Sequence, residues 1–104
     1  MIKITVFGAT GRTGRAVISL ALTQGMEGAA YARKAAALQE LAGRITINEG
    51  SLDDADRIAG AISHTDAVVI AFGPRKGGPQ VFCAHATQLI VSAMKEQRVR
   101  RLVC

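Results

Sequence analysis

Three glycines at a spacing of three, in Gly8-Ala9-Thr10-Gly11-Arg12-Thr13-Gly14, follow directly on the apolar run Ile2–Phe7. That run is mostly β-branched or aromatic and stops at a glycine, which reads as a buried parallel strand. Beyond the glycines, Gly14, Val17, Ile18 and Ala21 fall at i, i+3, i+4 and i+7, a helical stripe ending at Gly25, a suitable C-terminal cap. In a strand-turn-helix position each glycine has a physical task. Gly8 permits the sharp turn off the strand, Gly11 lets the backbone approach a pyrophosphate with no Cβ in the way, and Gly14 lets the helix pack closely on the sheet. The helix start adds unpaired N–H groups and a positive dipole end. No Gly-Lys-Ser/Thr closes the motif, so a Walker-type phosphate loop is excluded.

The rest of the chain alternates short apolar runs with amphipathic ones, the pattern of βαβ units. A second strand is expected over Gly28–Ala32, placed there because the unit requires one and in spite of the poor β-propensity of GAAYA. A short helix over Ala35–Leu41 and a third strand over Arg44–Asn48 follow. Ala55, Ile58, Ala59 and Ile62 form a third helical stripe, with Asp53 and Asp54 as capping candidates. Asp53, Asp54 and Asp56 crowd the first turn of that helix, where capping and the dipole account for them without catalysis. Ala67–Phe72 is the clearest strand and runs into a basic Gly/Pro-rich loop, residues 73–79. A last helix from Gln80 to Gln97 presents Phe82, Ala86, Leu89, Ile90 and Ala93 inward, and Arg101–Cys104 begins a fifth strand. The whole, residues 1–104, reads as an α/β, doubly wound parallel sheet of Rossmann-like, three-layer α/β/α architecture. Its expected strand order is 3-2-1-4-5. A ligand crevice then opens at the carboxyl ends of strands one and four.

A site of this kind that prefers NAD places Asp or Glu near the end of strand two, on the ribose 2′-hydroxyl. Here Arg33 and Lys34 stand at that point. An Arg there can fork onto a 2′-phosphate, which favours NADP(H) over NAD(H), and Arg12 in the turn can supply a second contact. The competing reading makes Arg33 and Lys34 ordinary solvated residues before a helix.

Composition removes other classes. The net charge of +5 invites a nucleic-acid partner. However, Arg12, Arg33, Lys34, Arg75 and Lys76 all follow predicted strands and so share the ligand edge, whereas Arg98, Arg100 and Arg101 precede strand five and read as solvated surface. No nucleic-acid partner is expected. The apolar stretches are too short for a membrane span, and the amino end lacks a secretory pattern, so the expected location is cytoplasmic, away from membranes. Cys83 and Cys104 form no framework, Cys83 and His85 point to different helix faces, and His64 has no partner at ligand spacing, so no metal site is expected.

GATGRTG after a strand, an Arg ending strand two, Gly50-Ser51-Leu52 after strand three, TDAVVIAFGP on strand four and the closing RRLVC resemble the atypical, NmrA-like branch of the short-chain dehydrogenase/reductase superfamily. The nearest likeness is to flavin reductase/biliverdin reductase B-type enzymes, and it spans the whole chain. The resemblance implies that Gly8, Thr10, Gly11, Arg12, Thr13 and Gly14 cradle the pyrophosphate, Arg33 reads the 2′-phosphate, and Ser51 and Leu52 flank the adenine. Ala71, Phe72 and Gly73 would lie along the nicotinamide-side ribose, with Arg75 on the adjoining loop. Members of this family usually carry Asp where Ser51 stands.

Family members also continue past strand five into a substrate-binding part. The resemblance therefore implies the amino-terminal, cofactor-binding half of an NADPH-dependent reductase whose acceptor is a flavin, quinone, tetrapyrrole or similar small molecule, with catalytic residues outside these 104. A non-catalytic NADP-sensing regulator of the same branch and a sugar-nucleotide epimerase or dehydratase relative are the alternatives. Strand five, as an unprotected edge, is expected to promote self-association.

Overall fold

The apolar runs pair, parallel throughout, into one five-stranded sheet: β1 (Lys3–Phe7), β2 (Glu27–Ala32), β3 (Thr46–Glu49), β4 (Ala67–Ile70) and β5 (Arg101–Val103). This computed structural model describes residues 2–9, 11–41, 43–71, 80–99 and 101–103. The strand order is β3-β2-β1-β4-β5, as expected from the sequence. The chain builds outward from β1 through β2 to β3, then crosses back to β4 on the other side of β1. The carboxyl ends of β1 and β4 are therefore the point of reversal.

Helices cover both faces. α1 (Arg12–Thr23) and a 3-10 segment (Ala35–Leu41) lie over one face, where Ile18, Ala21 and Leu38 pack with Ile4, Val6, Ala30 and Ala32. On the other face, Ile58, Ala61 and Ile62 of α2 (Ala55–Ile62) and Ile90, Ala93 and Met94 of α3 (Gln80–Glu96) pack with Phe7, Tyr31, Val68 and Ile70. Successive residues of β1 thus bury on alternate faces, as the strand period requires, and Ile4 to Phe7 are all buried. β2 can be as poor in β-formers as GAAYA because it sits between β1 and β3 with Gly28 to Ala32 all buried. Its pairing and burial override its propensity.

Several boundaries differ from the sequence expectation. Ile2, expected in β1, precedes it and is exposed. The third strand runs over Thr46–Glu49 instead of Arg44–Asn48, and β4 ends at Ile70, while Phe72 lies outside the described residues. The short helix expected over Ala35–Leu41 is present with those bounds, as a 3-10 helix broken at Leu38 (φ −116°, ψ 22°). Leu38 is fully buried in the α1-side core, and seating it there takes precedence over the strong helix propensity of its neighbours.

Two helix ends repeat one motif. After α1, the Met26 N–H donates to the Ala21 carbonyl at 2.9 Å and the Gly25 N–H to the Leu22 carbonyl at 3.1 Å, with Gly25 at φ 77°. After α3, the Val99 N–H donates to the Met94 carbonyl at 2.9 Å and the Arg98 N–H to the Lys95 carbonyl at 3.3 Å, with Arg98 at φ 60°. The second end thus holds an arginine in the left-handed region that the first assigns to glycine.

At the amino edge of the sheet, the Thr5 and Thr65 hydroxyls lie 2.7 Å apart and Thr5 Oγ1 donates to the Ala61 carbonyl at 3.2 Å. Asp66 clamps the start of β1, accepting from the Lys3 N–H through Oδ2 and donating its own N–H to the Lys3 carbonyl, both at 2.8 Å. Among the described residues no helix is long and apolar enough to cross a membrane.

Candidate functional site

The turn from β1 into α1 is built by its glycines. Gly8 sits at φ 86°, a region costly for any residue with a Cβ, and its carbonyl accepts the Gly11 N–H at 3.2 Å. At Gly14 an added Cβ would meet the backbone of the turn, 2.7 Å from the Ala9 Cα, 2.9 Å from the Gly8 carbonyl carbon and closer still to its oxygen. Only a glycine lets α1 come this near the turn. Among the described residues, the same Cβ at Gly11 would touch nothing closer than the Gly8 oxygen, at 3.6 Å. The described residues thus leave space beside Gly11, as a backbone that must admit a ligand does.

The first turn of α1 is left without internal compensation. Gly11 occupies the N-cap and offers no side-chain cap, and no acidic residue stands in the first turn. The leading N–H groups of the helix have no partner four residues back, so they and the helix dipole suit an anion. Arg12 and Thr13 at this end are exposed. α2 shows the contrasting arrangement, with the Asp54 side chain accepting from the Arg57 N–H at 3.2 Å and Asp56 in its first turn. One helix start is capped and acidic, and the other is open to an anion.

Parallel pairing brings the remaining candidates to the same edge. The Ala71 N–H donates to the Phe7 carbonyl at 2.8 Å, next to the glycine turn, and the Gly50 N–H donates to the Ala32 carbonyl at 2.9 Å. From β3 toward β4, the edge thus carries Ser51 and Leu52, then Arg33, then Gly8, Gly11, Arg12, Thr13 and Gly14, then Ala71. Arg33 and Lys34 follow β2 directly and are exposed. Among the described residues Arg12, Arg33 and Lys34 form no ion pair, whereas Arg15 pairs with Glu40 and Arg57 with Asp54. Thr10, Phe72, Gly73 and Arg75, also expected at the site, lie outside the described residues.

The turn after β3 is more tightly made than its sequence suggested. Arg57 Nη1 donates to the Glu49 carbonyl at 2.8 Å, and the Asp54 N–H donates to the Ser51 carbonyl at 3.2 Å. Of the two capping candidates, Asp54 alone caps α2, while Asp53 accepts the Ser51 hydroxyl. With that hydroxyl occupied, the turn offers a ligand its main chain and the Asp53 carboxylate. Leu52 packs partly buried against the α2 and α3 core. Sequence reasoning passed over Tyr31, whose hydroxyl donates to the Ser51 carbonyl. Burial, reinforced by the carboxylates of Asp54 and Asp53 and opposed by Arg57, pushes its phenol up to about 12. Its signal was a lone aromatic in an alanine run, which shows burial but not the partner.

The sequence matches a family of NAD(P)H-binding domains over residues 8–104. No curated protein matches it. Among solved structures, a Rossmann-fold NAD(P)-binding family protein from Shigella flexneri superposes with a TM-score of 0.81 at 23% identity, over 98% of this chain and 50% of that one. A short-chain dehydrogenase/reductase from Veillonella parvula in complex with NADP gives 0.79 at 21% identity, over 97% of this chain and 45% of that one. A short-chain dehydrogenase/reductase superfamily protein from Agrobacterium tumefaciens with bound NAD gives 0.80 at 25% identity, over 96% and 31%. The chain spans half the length or less of these three structures.

Proposed function

The chain belongs to the family of NAD(P)H-binding domains, and from that premise we propose that it holds NADP(H), in preference to NAD(H), for an NADPH-dependent reductase of the NmrA-like branch. The observation that carries the reading is the end of β2, where Arg33 and Lys34 are exposed and unpaired among the described residues and no carboxylate stands to receive a ribose 2′-hydroxyl. Structural neighbours hold either cofactor, so the choice falls to these residues.

The glycine turn fits a dinucleotide in its own geometry. Gly11 leaves room for the pyrophosphate, the first N–H groups of α1 donate to it, and Arg33, with Arg12, neutralises the 2′-phosphate. Ser51 and Leu52 flank the adenine, and Ala71, after β4, lies along the nicotinamide-side ribose. When bound, NADPH supplies a hydride; the chain's part is to hold and orient it toward a flavin, quinone, tetrapyrrole or similar acceptor. Equilibrium titration with NADPH and NADH tests this. The reading expects NADPH to bind tighter by about tenfold or more, and equal affinities, or no binding of either, overturn it.

A further inference from the structure

Tyr31 is the chain's single tyrosine, and only 2% of its surface is exposed. It faces the α2 side of β2 with its ring centroid 5.1 Å from that of Phe7, and its hydroxyl reaches twenty residues along the chain to the Ser51 carbonyl. Of the hydrogen bonds that hold the turn between β3 and α2 among the described residues, this is the one made by a side chain rooted in the sheet. The others are the Gly50 main chain on Ala32, Arg57 of α2 on Glu49, and bonds internal to the turn. Space around the phenol is equally specified. A Cβ on Gly50 would come within 2.9 Å of both Tyr31 Cζ and Arg57 Cδ, so residue 50 is glycine to make room for the ring.

We propose that Tyr31 is a positioning residue for the adenosine half of the cofactor, its hydroxyl fixing the Ser51 main chain so that Ser51, Leu52 and Asp53 are already arranged when the dinucleotide arrives. The inference rests on the NADP(H) reading above. Ordering a loop on binding costs free energy, and a turn already pinned avoids that cost. The adenosine half is singled out by topology. The turn adjoins the end of β2 through Ala32 and Gly50, hence the side of the sheet that carries Arg33, while Ala71 lies across β1 on the other side. The 2′-phosphate that Arg33 would bind belongs to the adenosine ribose.

The test compares wild type with Tyr31→Phe, which keeps the ring and removes the hydroxyl, using NADPH and adenosine 2′,5′-bisphosphate as probes. The control is Thr65→Val, which loses a buried hydroxyl at the opposite edge of the sheet. The expected result is a loss of about fivefold in affinity for both probes in Tyr31→Phe, by the same factor, with none in Thr65→Val although its thermal midpoint also falls. Unchanged affinity in Tyr31→Phe, or an equal loss in Thr65→Val, overturns the inference while leaving the cofactor reading standing. Should Tyr31→Phe not fold, Gly50→Ala displaces the same ring and is expected to weaken both probes likewise, and unchanged affinity there overturns the inference. Failure of the wild type to bind either probe overturns both.

Discussion

Gly14 approaches Ala9 so closely that a Cβ on Gly14 would stand 2.7 Å from the Ala9 Cα, whereas the same atom on Gly11, three residues earlier, would find its first neighbour among the described residues at 3.6 Å. Two glycines of one motif therefore serve different ends. Gly14 is required by the packing of the folded chain, whereas no described residue requires a glycine at position 11 for packing.

Substituting each by alanine separates the two roles. Gly14→Ala must push backbone atoms apart and is expected to destabilise the protein by about 2–3 kcal/mol or more, with a lower midpoint in chemical denaturation. Gly11→Ala is expected to cost about 1 kcal/mol or less, chiefly the preference of an N-cap for glycine over alanine, yet to weaken NADPH binding by about tenfold or more. Equal destabilisation by the two would contradict the assignment.

Cofactor discrimination is expected to reside in Arg33. Arg33→Ala removes a guanidinium that forms no ion pair among the described residues, so stability should change by no more than about 0.5 kcal/mol. The affinity gap between NADPH and NADH should shrink, NADPH losing and NADH holding. The gap in the wild type should also narrow with added salt, since a phosphate contact is screened. Titrations of both dinucleotides at two ionic strengths check both outcomes.

The Tyr31 phenol gives a pH signature of its own. Its pKa in the fold is raised to about 12 from an ordinary value near 10, so the folded chain keeps this proton more firmly than the unfolded one. Its contribution to stability is whole below about pH 10 and is lost as pH rises through about 12. Urea midpoints of wild type should therefore fall more steeply over that window than those of Tyr31→Phe. Because the chain has one tyrosine, tyrosinate absorbance follows this group alone. A native-state titration midpoint near 10 would contradict the burial and hydrogen bonding described for it.

Arg98 occupies a helix end in which glycine is the better residue. It stands at φ 60°, in the same capping motif that places Gly25 at φ 77°. Arg98→Gly is expected to stabilise the protein by about 0.5–1 kcal/mol, raising the thermal midpoint by several degrees. His64, at φ 63° just after α2, should respond in the same direction. Unchanged or lower midpoints in both variants would show that these side chains make compensating contacts.

Much of the architecture could be read from local pattern. The β1–α1 junction announces itself because glycine spacing, β-branched residues and a helical stripe agree with one another, and that agreement suffices to predict the parallel sheet and its order. The short helix over Ala35–Leu41 was legible too, but not its 3-10 form, because alanine and leucine favour an α-helix and only the fold shows Leu38 buried. Asp53 and Asp54 were equivalent as caps in sequence. In the fold, the Ser51 hydroxyl draws Asp53 away and Asp54 remains to cap α2.

Residues close in sequence therefore determined the glycine turn, the open helix start and the pair of cations after β2, because each depends on backbone geometry within a few positions. Residues far apart decided the rest. Tyr31 meets Ser51 across twenty positions and Thr5 meets Thr65 across sixty, and each pairing exists only because parallel strands bring distant segments into register. The same holds for which cations are already paired and which remain available, since Glu40 reaches Arg15 only once α1 and the segment after β2 have docked on one face of the sheet.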